Sequence, residues 1–470
     1  MATETKRIDD ASIPLVTDLN GVTIPVMQGG VSKRLMAEQI TMSGTSYGVR
    51  IDNAVSNPAL TRIGNPVLHQ SLPIQSLMRR CLLKADGTVN YYLDANNSTL
   101  KENGTAAVLD GTDGDVMVEI PQFFYRVDVV SGTASELWIS QTNLPGFQLS
   151  EKCYISAYQA TVDRTVPATP KLASVVNTTA NFRGGNNNAA WDAESRTLLG
   201  RPASYISRTD ARTYARNKGA AGKNGAGWNQ LTYNAYKALF WLYFVEYANK
   251  NSQAPFNSAL DANGYRQGGL GAGVTDLYSG KWYTFNSNYP FVPMGHTNSL
   301  GNKTGVLPFT MPTEYDSVPF TTYVPSYRGV ENPFGHIWQW VDGINVKTQA
   351  ADAGGRTVYF ATDNPSLYQD SNYNGFREIG DSPRVEGYVK SLILGQFADF
   401  LPKENTGAGS TTYWTDYYYL NIPSTGEVLR GLFVGGGAID EAWSGLACSR
   451  TSDAPWTASP FFGIRLVFHP

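Results

Sequence analysis

The sequence predicts an α+β fold in which short strands and ordered coil surround a small number of helices. The chain has 46 glycines and 25 prolines in 470 residues, its aromatic content is 12%, and short apolar runs alternate with turn residues. This balance is typical of β- and loop-rich proteins and unfavourable for a helical bundle. Hydrophobic residues make up 42% and charged residues 16%, so we expect a packed core and no extensive disorder.

Strand-like runs occur in both halves of the chain. In the N-terminal half they cover residues 47–52, 59–64, 78–83, 89–93, 116–130 and 147–160. Residues 116–130 have the densest strand pattern, and Pro121 indicates an edge or a bend inside it. In the C-terminal half the runs cover residues 334–341, 357–362, 385–394 and the aromatic-rich 411–420.

Two helices are predicted from capping residues and apolar spacing. Thr209 is expected to cap a helix over residues 210–217. Thr232 is expected to cap a longer helix that runs to about residue 249, with apolar residues at three- and four-residue steps. Further aromatic residues make this helix apolar nearly all round, so both of its sides should be covered. Residues 33–40 are expected to form two helical turns.

Charge, termini and cysteines limit the classes of partner. With 37 basic and 40 acidic residues the net charge is -3, so we expect no broad electropositive surface for nucleic acid or an anionic membrane. The N-terminal sequence lacks the apolar core of a secretory signal, and no apolar run approaches the ~20 residues of a membrane span.

The three cysteines, Cys81, Cys153 and Cys448, are too few for a complete disulfide set. They are expected as buried or half-buried free thiols of a protein that folds in a reducing cytoplasm.

Residues 430–468 carry the strongest functional signal. An apolar strand that ends at the glycines 435–437 and a closing strand over 463–468 enclose a segment without helical or strand periodicity. A segment held at both ends by a sheet can vary without cost to the core, so the segment between these two strands is interpreted as a displayed binding surface. If residues 411–420 form a strand, they place a wall of aromatic rings beside it.

The candidate contact residues of this surface fall into three groups. The expected apolar anchors are Trp443, Trp456 and Phe461, although the two tryptophans could instead fill the core. The expected charged contacts are Asp440, Glu441, Arg450 and Asp453. Ser444, Thr451, Ser452 and Thr457 are expected as adaptable polar contacts. Phe433, Gly437 and Ile439 complete the candidate set.

Two other stretches match ligand-binding loops only in part. Residues 110–115 have the acidic spacing of a calcium loop but lack the glutamate at its twelfth position, so a turn-rich linker is expected. Residues 181–188 are rich in glycine and asparagine. No strand leads directly into them and no helix clearly follows, so they suit left-handed backbone better than a phosphate site.

Several motifs resemble the formylglycine-generating-enzyme branch of the C-type lectin fold. Residues 329–342 are similar to its glycine–asparagine–valine–tryptophan–glutamate–tryptophan signature, and residues 228–239 to its helix block. Residues 429–431 and 463–467 are similar to its closing arginine–glycine and glycine–x–arginine–leucine–valine pair. The resemblance covers about residues 123–468 and implies a C-type lectin fold of this branch with a small β-rich N-terminal attachment region.

The catalytic groups of that branch have no full counterpart in this chain. Its oxidases bind copper through two thiols, and only Cys448 lies in the corresponding region. Its iron enzymes use three histidines. Of the four histidines here, His69, His296, His336 and His469, only His336 stands in a family motif, where it replaces an asparagine and is expected to be structural. The resemblance therefore implies no enzymatic activity and no cofactor, with a structural calcium ion left open; an oxidase of this type is the alternative.

The non-enzymatic relatives in this branch are phage receptor-binding and tail-fibre proteins whose terminal segment is diversified by retroelements. Residues 48–83 and 411–420 are also similar to them. The resemblance implies an adhesin that recognises a bacterial surface receptor, protein or glycan, through residues 433–461. A virion decoration protein without a receptor is the further alternative.

The same resemblance implies a place for the protein and a division of the chain. It implies a homotrimer in the virion tail, made in the host cytoplasm, with no nucleic-acid partner and no membrane insertion. Residues 1–45 are expected to oligomerise or to attach to other virion tail proteins. Residues 46–120 are expected to form a β-rich region that leads into a receptor-binding domain over residues 121–470.

Overall fold

The computed structural model describes residues 23–28, 31–36, 44–182, 199–219, 227–277, 279–310 and 320–470. Most of the predicted attachment segment 1–45 lies outside these ranges, as does the predicted glycine–asparagine loop from residue 183 onward.

The described strands of the N-terminal half are short and numerous. In chain order, β1 to β13 are Thr23–Gln28, Val31–Met36, Tyr47–Asp52, Thr61–Gly64, Arg79–Leu83, Val89–Tyr92, Asp115–Ile120, Phe123–Val129, Ala134–Ser140, Gln148–Ser150, Cys153–Ser156, Thr161–Asp163 and Lys171–Ala173. The predicted strand over 116–130 is thus two strands that separate at Pro121, where the backbone has no N–H to donate.

The remaining described strands, β14 to β30, are concentrated after residue 320. They are Trp228–Gln230, Phe256–Leu260, Arg266–Gly268, Gly305–Thr310, Thr321–Tyr327, Val330–Glu331, Trp338–Gln349, Thr357–Ala361, Arg377–Asp381, Gly387–Tyr388, Ser391–Ile393, Leu401–Glu404, Tyr417–Leu420, Glu427–Gly435, Gly445–Thr451, Phe462–Gly463 and Leu466–Phe468. The predicted strand over 411–420 is reduced to its last four residues, because Tyr413 and Thr415 have positive φ angles.

Four α-helices lie within the described residues. They are α1 to α4: Pro66–Ser71, Arg208–Arg216, Tyr233–Tyr247 and Ser279–Asn286. None of them has both the length and the apolar character of a transmembrane span.

The predicted α+β class is wrong, because the structure is dominated by strands. Strand accounts for 36% and helix for 15%, and one sheet curls into a half-barrel. The prediction was wrong because several strands lie in stretches whose sequence has no strong hydrophobic periodicity. Residues 252–324, where no strand was predicted, contain the antiparallel pair β15–β16 and the paired strand β17, and only α3 among the described helices exceeds ten residues.

The second strand, β2, lies where two helical turns were predicted. Thr23–Gln28 pairs antiparallel with Val31–Met36, from Thr23 opposite Met36 to Gln28 opposite Val31. The helical turns predicted for residues 33–40 are therefore wrong for residues 33–36. Two glycines separate the runs in the sequence, a pattern that favours a hairpin.

The larger sheets join segments that are far apart in sequence. A five-stranded sheet has the order β10–β8–β9–β3–β4, and a six-stranded sheet has the order β14–β30–β11–β7–β5–β6. An eight-stranded sheet has the order β22–β21–β20–β27–β28–β26–β23, with β29 paired to β20. Strands from the predicted 46–120 region therefore share sheets with strands from the predicted 121–470 domain, because β3 pairs with β9 and β7 with β11.

Helix α3 forms the centre of the largest hydrophobic cluster. The prediction that Thr232 caps it is confirmed, since the Thr232 hydroxyl accepts the Ala235 N–H at 3.2 Å. The predicted cover on both sides is also confirmed, because every helix residue except Asn234 is buried. The other predicted cap is wrong: α2 begins at Arg208, and the Ser207 hydroxyl accepts the Asp210 N–H.

Candidate functional site

The predicted display segment is organised around a strand. Gly445–Thr451, predicted to lack periodicity, pairs antiparallel with β27 and in parallel with β26. Its sequence is composed mainly of small residues, which gave no strand signal, and its partners lie at sequence distances that a local pattern does not register. The segment is therefore a strand flanked by two surface loops, 436–444 and 452–461.

Four predicted contact residues support this surface from below. Phe433, Gly437, Ser444 and Thr451 are buried. Phe433 stacks on Trp340 with ring centroids 3.5 Å apart, and Thr451 shares a 2.8 Å hydrogen bond with the Tyr418 hydroxyl. The expectation that these four residues contact a partner directly is corrected, because the sheet packing covers them.

The other ten predicted residues reach the surface to different degrees. Trp443 is 41% exposed and Trp456 66% exposed, so the alternative that these tryptophans fill the core is wrong. Glu441 is also exposed. Half-buried positions are taken by Ile439, Asp440, Arg450, Ser452, Asp453, Thr457 and Phe461.

Trp443 belongs to a group of four rings that we call the aromatic platform: Tyr388, Tyr417, Tyr419 and Trp443. The Trp443 ring stacks on Tyr417 with centroids 4.5 Å apart and an interplanar angle of 14°. Tyr388 meets it edge-on at 6.4 Å, and Tyr419 is tilted against it at 5.9 Å. All three tyrosines are half-buried, so each ring keeps part of its surface open to solvent.

Adjacent strand pairing assembles the platform. Tyr417 and Tyr419 lie on β26, beside β28, so the predicted wall of rings is placed next to the display segment. Tyr388 was missed by the sequence reasoning. It lies in the predicted strand-like run 385–394, on the two-residue edge strand β23 opposite Tyr417, and no local pattern places that run beside residues 411–420.

Asp440 fixes the turn that presents Trp443. The Tyr419 hydroxyl donates to Asp440 Oδ1 at 3.0 Å, and the Gly437 N–H donates to Asp440 Oδ2 at 2.6 Å. The Trp443 N–H donates to the Asp440 carbonyl at 2.7 Å. Burial raises the pKa of Asp440, and the Gly437 hydrogen bond opposes that shift. Asp440 was predicted to contact a partner's charge, and this is corrected: both of its carboxylate oxygens are engaged within the turn.

Arg450 and Asp453 form an ion pair beside the platform. Arg450 Nε lies 2.7 Å from Asp453 Oδ2. The guanidinium also lies 5.4 Å from the Phe462 ring centroid and 6.0 Å from that of Tyr419. Because Arg450 keeps a quarter of its side chain exposed, it is oriented and still accessible.

Trp456 stands on the second loop, apart from the strands of the platform. The loop is held by main-chain bonds: the Arg208 N–H donates to the Pro455 carbonyl, and the Tyr205 N–H to the Ser459 carbonyl, each at 2.9 Å. These bonds tie the loop to the start of helix α2 and to the exposed Tyr205. The large exposed ring of Trp456 is thus carried on anchored backbone.

The histidine and cysteine side chains occupy structural positions. His336 is buried, its Nδ1 lies 2.8 Å from Gln159 Oε1, and its Nε2 accepts the N–H groups of Phe291 and Val292. Burial lowers the pKa of His336 to about 3, which keeps the ring neutral. The predicted free thiols are confirmed, since Cys81, Cys153 and Cys448 are all unpaired and buried.

The described residues contain no group of three or more histidine, cysteine or acidic side chains placed to hold a metal ion. In the partly calcium-like stretch, the Asp110 carboxylate accepts the Thr112 N–H, and Asp115 pairs with Lys218 at 2.6 Å. Each carboxylate therefore has a partner within the protein.

No family model and no curated protein matches this chain. The likeness drawn from the motifs therefore stays a prediction. His336, Trp338 and Trp340 of the longest motif are buried between sheets, and so is Arg465 of the closing motif. Arg465 donates to the Gln339 side chain and to the carbonyls of Ser156, Glu331 and Asn332.

Proposed function

We propose that this protein is a receptor-binding adhesin of a phage particle and that it contacts a bacterial surface receptor through the aromatic platform and Trp456. The observation that carries the proposal is the partly exposed Trp443 ring, stacked on Tyr417 and held by the Asp440 turn. Partly exposed, clustered aromatic rings are the residues that dominate the binding energy of protein interfaces.

Rigidity supports this role. The tyrosines of the platform lie on β23 and β26, and the turn that carries Trp443 is fixed by three hydrogen bonds to Asp440. Side chains that are already ordered lose little conformational entropy when they bind. The platform therefore suits direct docking onto a partner.

Charged groups beside the rings supply the polar part of the surface. Glu441 is exposed next to Trp443, and Arg450 is oriented by Asp453. A face with aromatic rings at its centre and charged side chains around them fits a protein receptor or a mixed protein and glycan surface. Several copies in a trimer on one particle would raise the avidity of weak single sites.

The test compares adsorption of purified protein to a panel of bacterial strains by flow cytometry. We expect the double substitution Trp443→Ala and Trp456→Ala to reduce the affinity for strains that bind the wild type by about 30-fold or more, equivalent to about 2 kcal/mol. The Tm should stay nearly unchanged, because both rings are exposed.

Tyr323→Ala is the matched control. Tyr323 is 49% exposed and lies on β18 in the three-stranded sheet, outside the platform. Adsorption of this variant should equal that of the wild type. Equal adsorption of the tryptophan double variant, at unchanged Tm, would contradict the proposal. Failure of free wild-type protein to compete with particles for cells would favour a decoration protein without a receptor.

A further inference from the structure

A cavity of about 310 Å³ lies away from the aromatic platform, between the first turn of helix α3 and the strands β10 and β11. Tyr125 and Tyr368 contribute rings to its wall, and Asn234 and Lys237 of α3 line it as well. Its volume equals that of about ten water molecules and is at the lower end of small-molecule sites. The cavity therefore has room for a ligand of up to about ten heavy atoms.

Lys237 places a positive charge in the wall of this cavity. Its side chain is 8% exposed, and Nζ donates to the Phe397 carbonyl at 3.0 Å. Among the described residues that carbonyl is the one hydrogen-bond acceptor of Nζ, although an ammonium group carries three N–H donors. The ring centroids of Tyr125 and Tyr233 each lie 5.7 Å from Nζ. Burial lowers the pKa of Lys237 because the charged form is poorly solvated there. A carboxylate in the cavity would supply the missing acceptor atoms.

The start of helix α3 adds a second polar feature to the wall. Asn234 Oδ1 is buried and has no hydrogen-bond partner among the described residues, so it lacks a donor. Asn234 and Ala235 are in the first turn of the helix, whose positive end favours a nearby carboxylate. A ligand that carries both a carboxylate and a donor group would satisfy Lys237 and Asn234 together.

The mouth of the cavity has the opposite charge. Asp363 and Glu151 line it, and both residues are exposed. Asp363 is close enough to Lys237 to raise the pKa of the lysine, although burial has the larger effect. A simple anion would meet repulsion from these two carboxylates, and a simple cation would meet repulsion from Lys237. A molecule that carries both a negative and a positive charge is complementary to Lys237 in the wall and to the two carboxylates at the mouth.

We propose that this cavity binds a zwitterionic small molecule of the amino-acid class, with its carboxylate at Lys237 and its ammonium group toward Asp363. This site does not depend on the adhesin role of the aromatic platform. The ring faces of Tyr125 and Tyr368 would border the carbon chain that joins the two charges.

Isothermal titration of the full chain at low ionic strength tests the proposal with the homologous series glycine, 4-aminobutyrate and 6-aminohexanoate. Acetate, methylamine, butyrate, butylamine, hexanoate and hexylamine serve as single-charge analogues. We expect at least one ω-amino acid to bind about tenfold or more tightly than both analogues of its length, at concentrations up to about 10 mM. No binding of any ω-amino acid in this range, or equal binding of a single-charge analogue, would overturn the proposal.

Three variants test which residue contacts the carboxylate of the ligand and which contacts its ammonium group. Lys237→Met should reduce the affinity for the zwitterion to that of the matching amine, and Asp363→Asn should reduce it to that of the matching carboxylate. Lys250→Met is the matched control, because Lys250 is also buried and donates to a main-chain carbonyl but does not line the cavity. Because Asp363 is exposed, its variant decides the question even if Lys237→Met does not fold. Unchanged affinity in Asp363→Asn contradicts the assigned orientation.

Discussion

At the level of single residues, Asp440 fixes the geometry of the aromatic platform. Asp440→Ala removes the acceptors of the Tyr419 hydroxyl and of the Gly437 N–H. We expect a loss of about 1–3 kcal/mol in the free energy of unfolding, because buried donors are left without partners. Urea unfolding measures this loss. Asp440→Asn should cost less, since its side-chain oxygen can still accept one bond; equal stability of Asp440→Ala and wild type would contradict this role.

Buried histidines make the stability dependent on pH. His69 is 3% exposed, and its Nε2 lies 2.9 Å from the Ile63 carbonyl. Burial lowers the pKa of His69 to about 4 and that of His336 to about 3, against about 6.5 in an unfolded chain. Below pH 6.5 the unfolded state therefore binds more protons, and stability falls as the pH decreases toward 4.

The variant His69→Gln isolates the contribution of His69 to the pH dependence of stability. A glutamine can donate to the Ile63 carbonyl and does not titrate. Each pKa unit of difference between folded and unfolded states contributes about 1.4 kcal/mol. We expect the decrease in the free energy of unfolding between pH 7 and pH 4 to be smaller in the variant, as measured by urea titration. The same decrease in both proteins would show that His69 is not the titrating group.

At the level of elements, the turn after β27 depends on a glycine. Gly436 has a φ of +77°, and a Cβ added there would lie 2.3 Å from Ser444 Oγ. Gly436→Ala should therefore cost more than the penalty of about 1 kcal/mol for the backbone angle alone. Gly426→Ala is the matched control, because Gly426 has a φ of +70° and open space around its Cα. Equal unfolding free energies for the two variants would contradict the steric contribution.

Elements with strong local patterns could be predicted from the sequence. Helix α3 combines a capping threonine with an apolar run, and the strand ending at the glycines 435–437 is similarly marked. Strand β28 could not be predicted, since its small residues become a strand only by pairing with β26 and β27. The same reason explains the platform: Trp443 and the β26 tyrosines were visible in the sequence, but Tyr388 joins them only through the edge strand β23.

For the whole molecule, the C-terminal residues close the fold. Strand β30 pairs with β11 on one side and β14 on the other, so Phe468 lies opposite both Tyr154 and Trp228. Arg465 is buried and bonds to groups from three distant segments. Contacts of this kind join residues far apart in sequence and tie several sheets into one structure, so their loss should affect all of these sheets together.

Removal of residues 465–470 should therefore unfold the protein as a unit. The deletion removes β30 and the Arg465 guanidinium, which leaves the Gln339 side chain and the buried carbonyls of Ser156, Glu331 and Asn332 without their donor. Each unsatisfied buried acceptor costs about 1–3 kcal/mol. Circular dichroism and the thermal unfolding transition measure the effect. Deletion of Pro470 alone, which is exposed, is the control and should leave the transition unchanged. A cooperative transition at the wild-type temperature in the longer deletion would contradict this view of the fold.

The face that meets the receptor can be mapped on the intact protein by hydroxyl-radical footprinting on bacterial cells that bind it. We expect oxidation of Trp443, Tyr417 and Trp456 to fall on binding, while the exposed Tyr323 reacts as in the free protein. Unchanged oxidation of Trp443 and Trp456 on cell-bound protein would contradict a receptor contact through the aromatic platform.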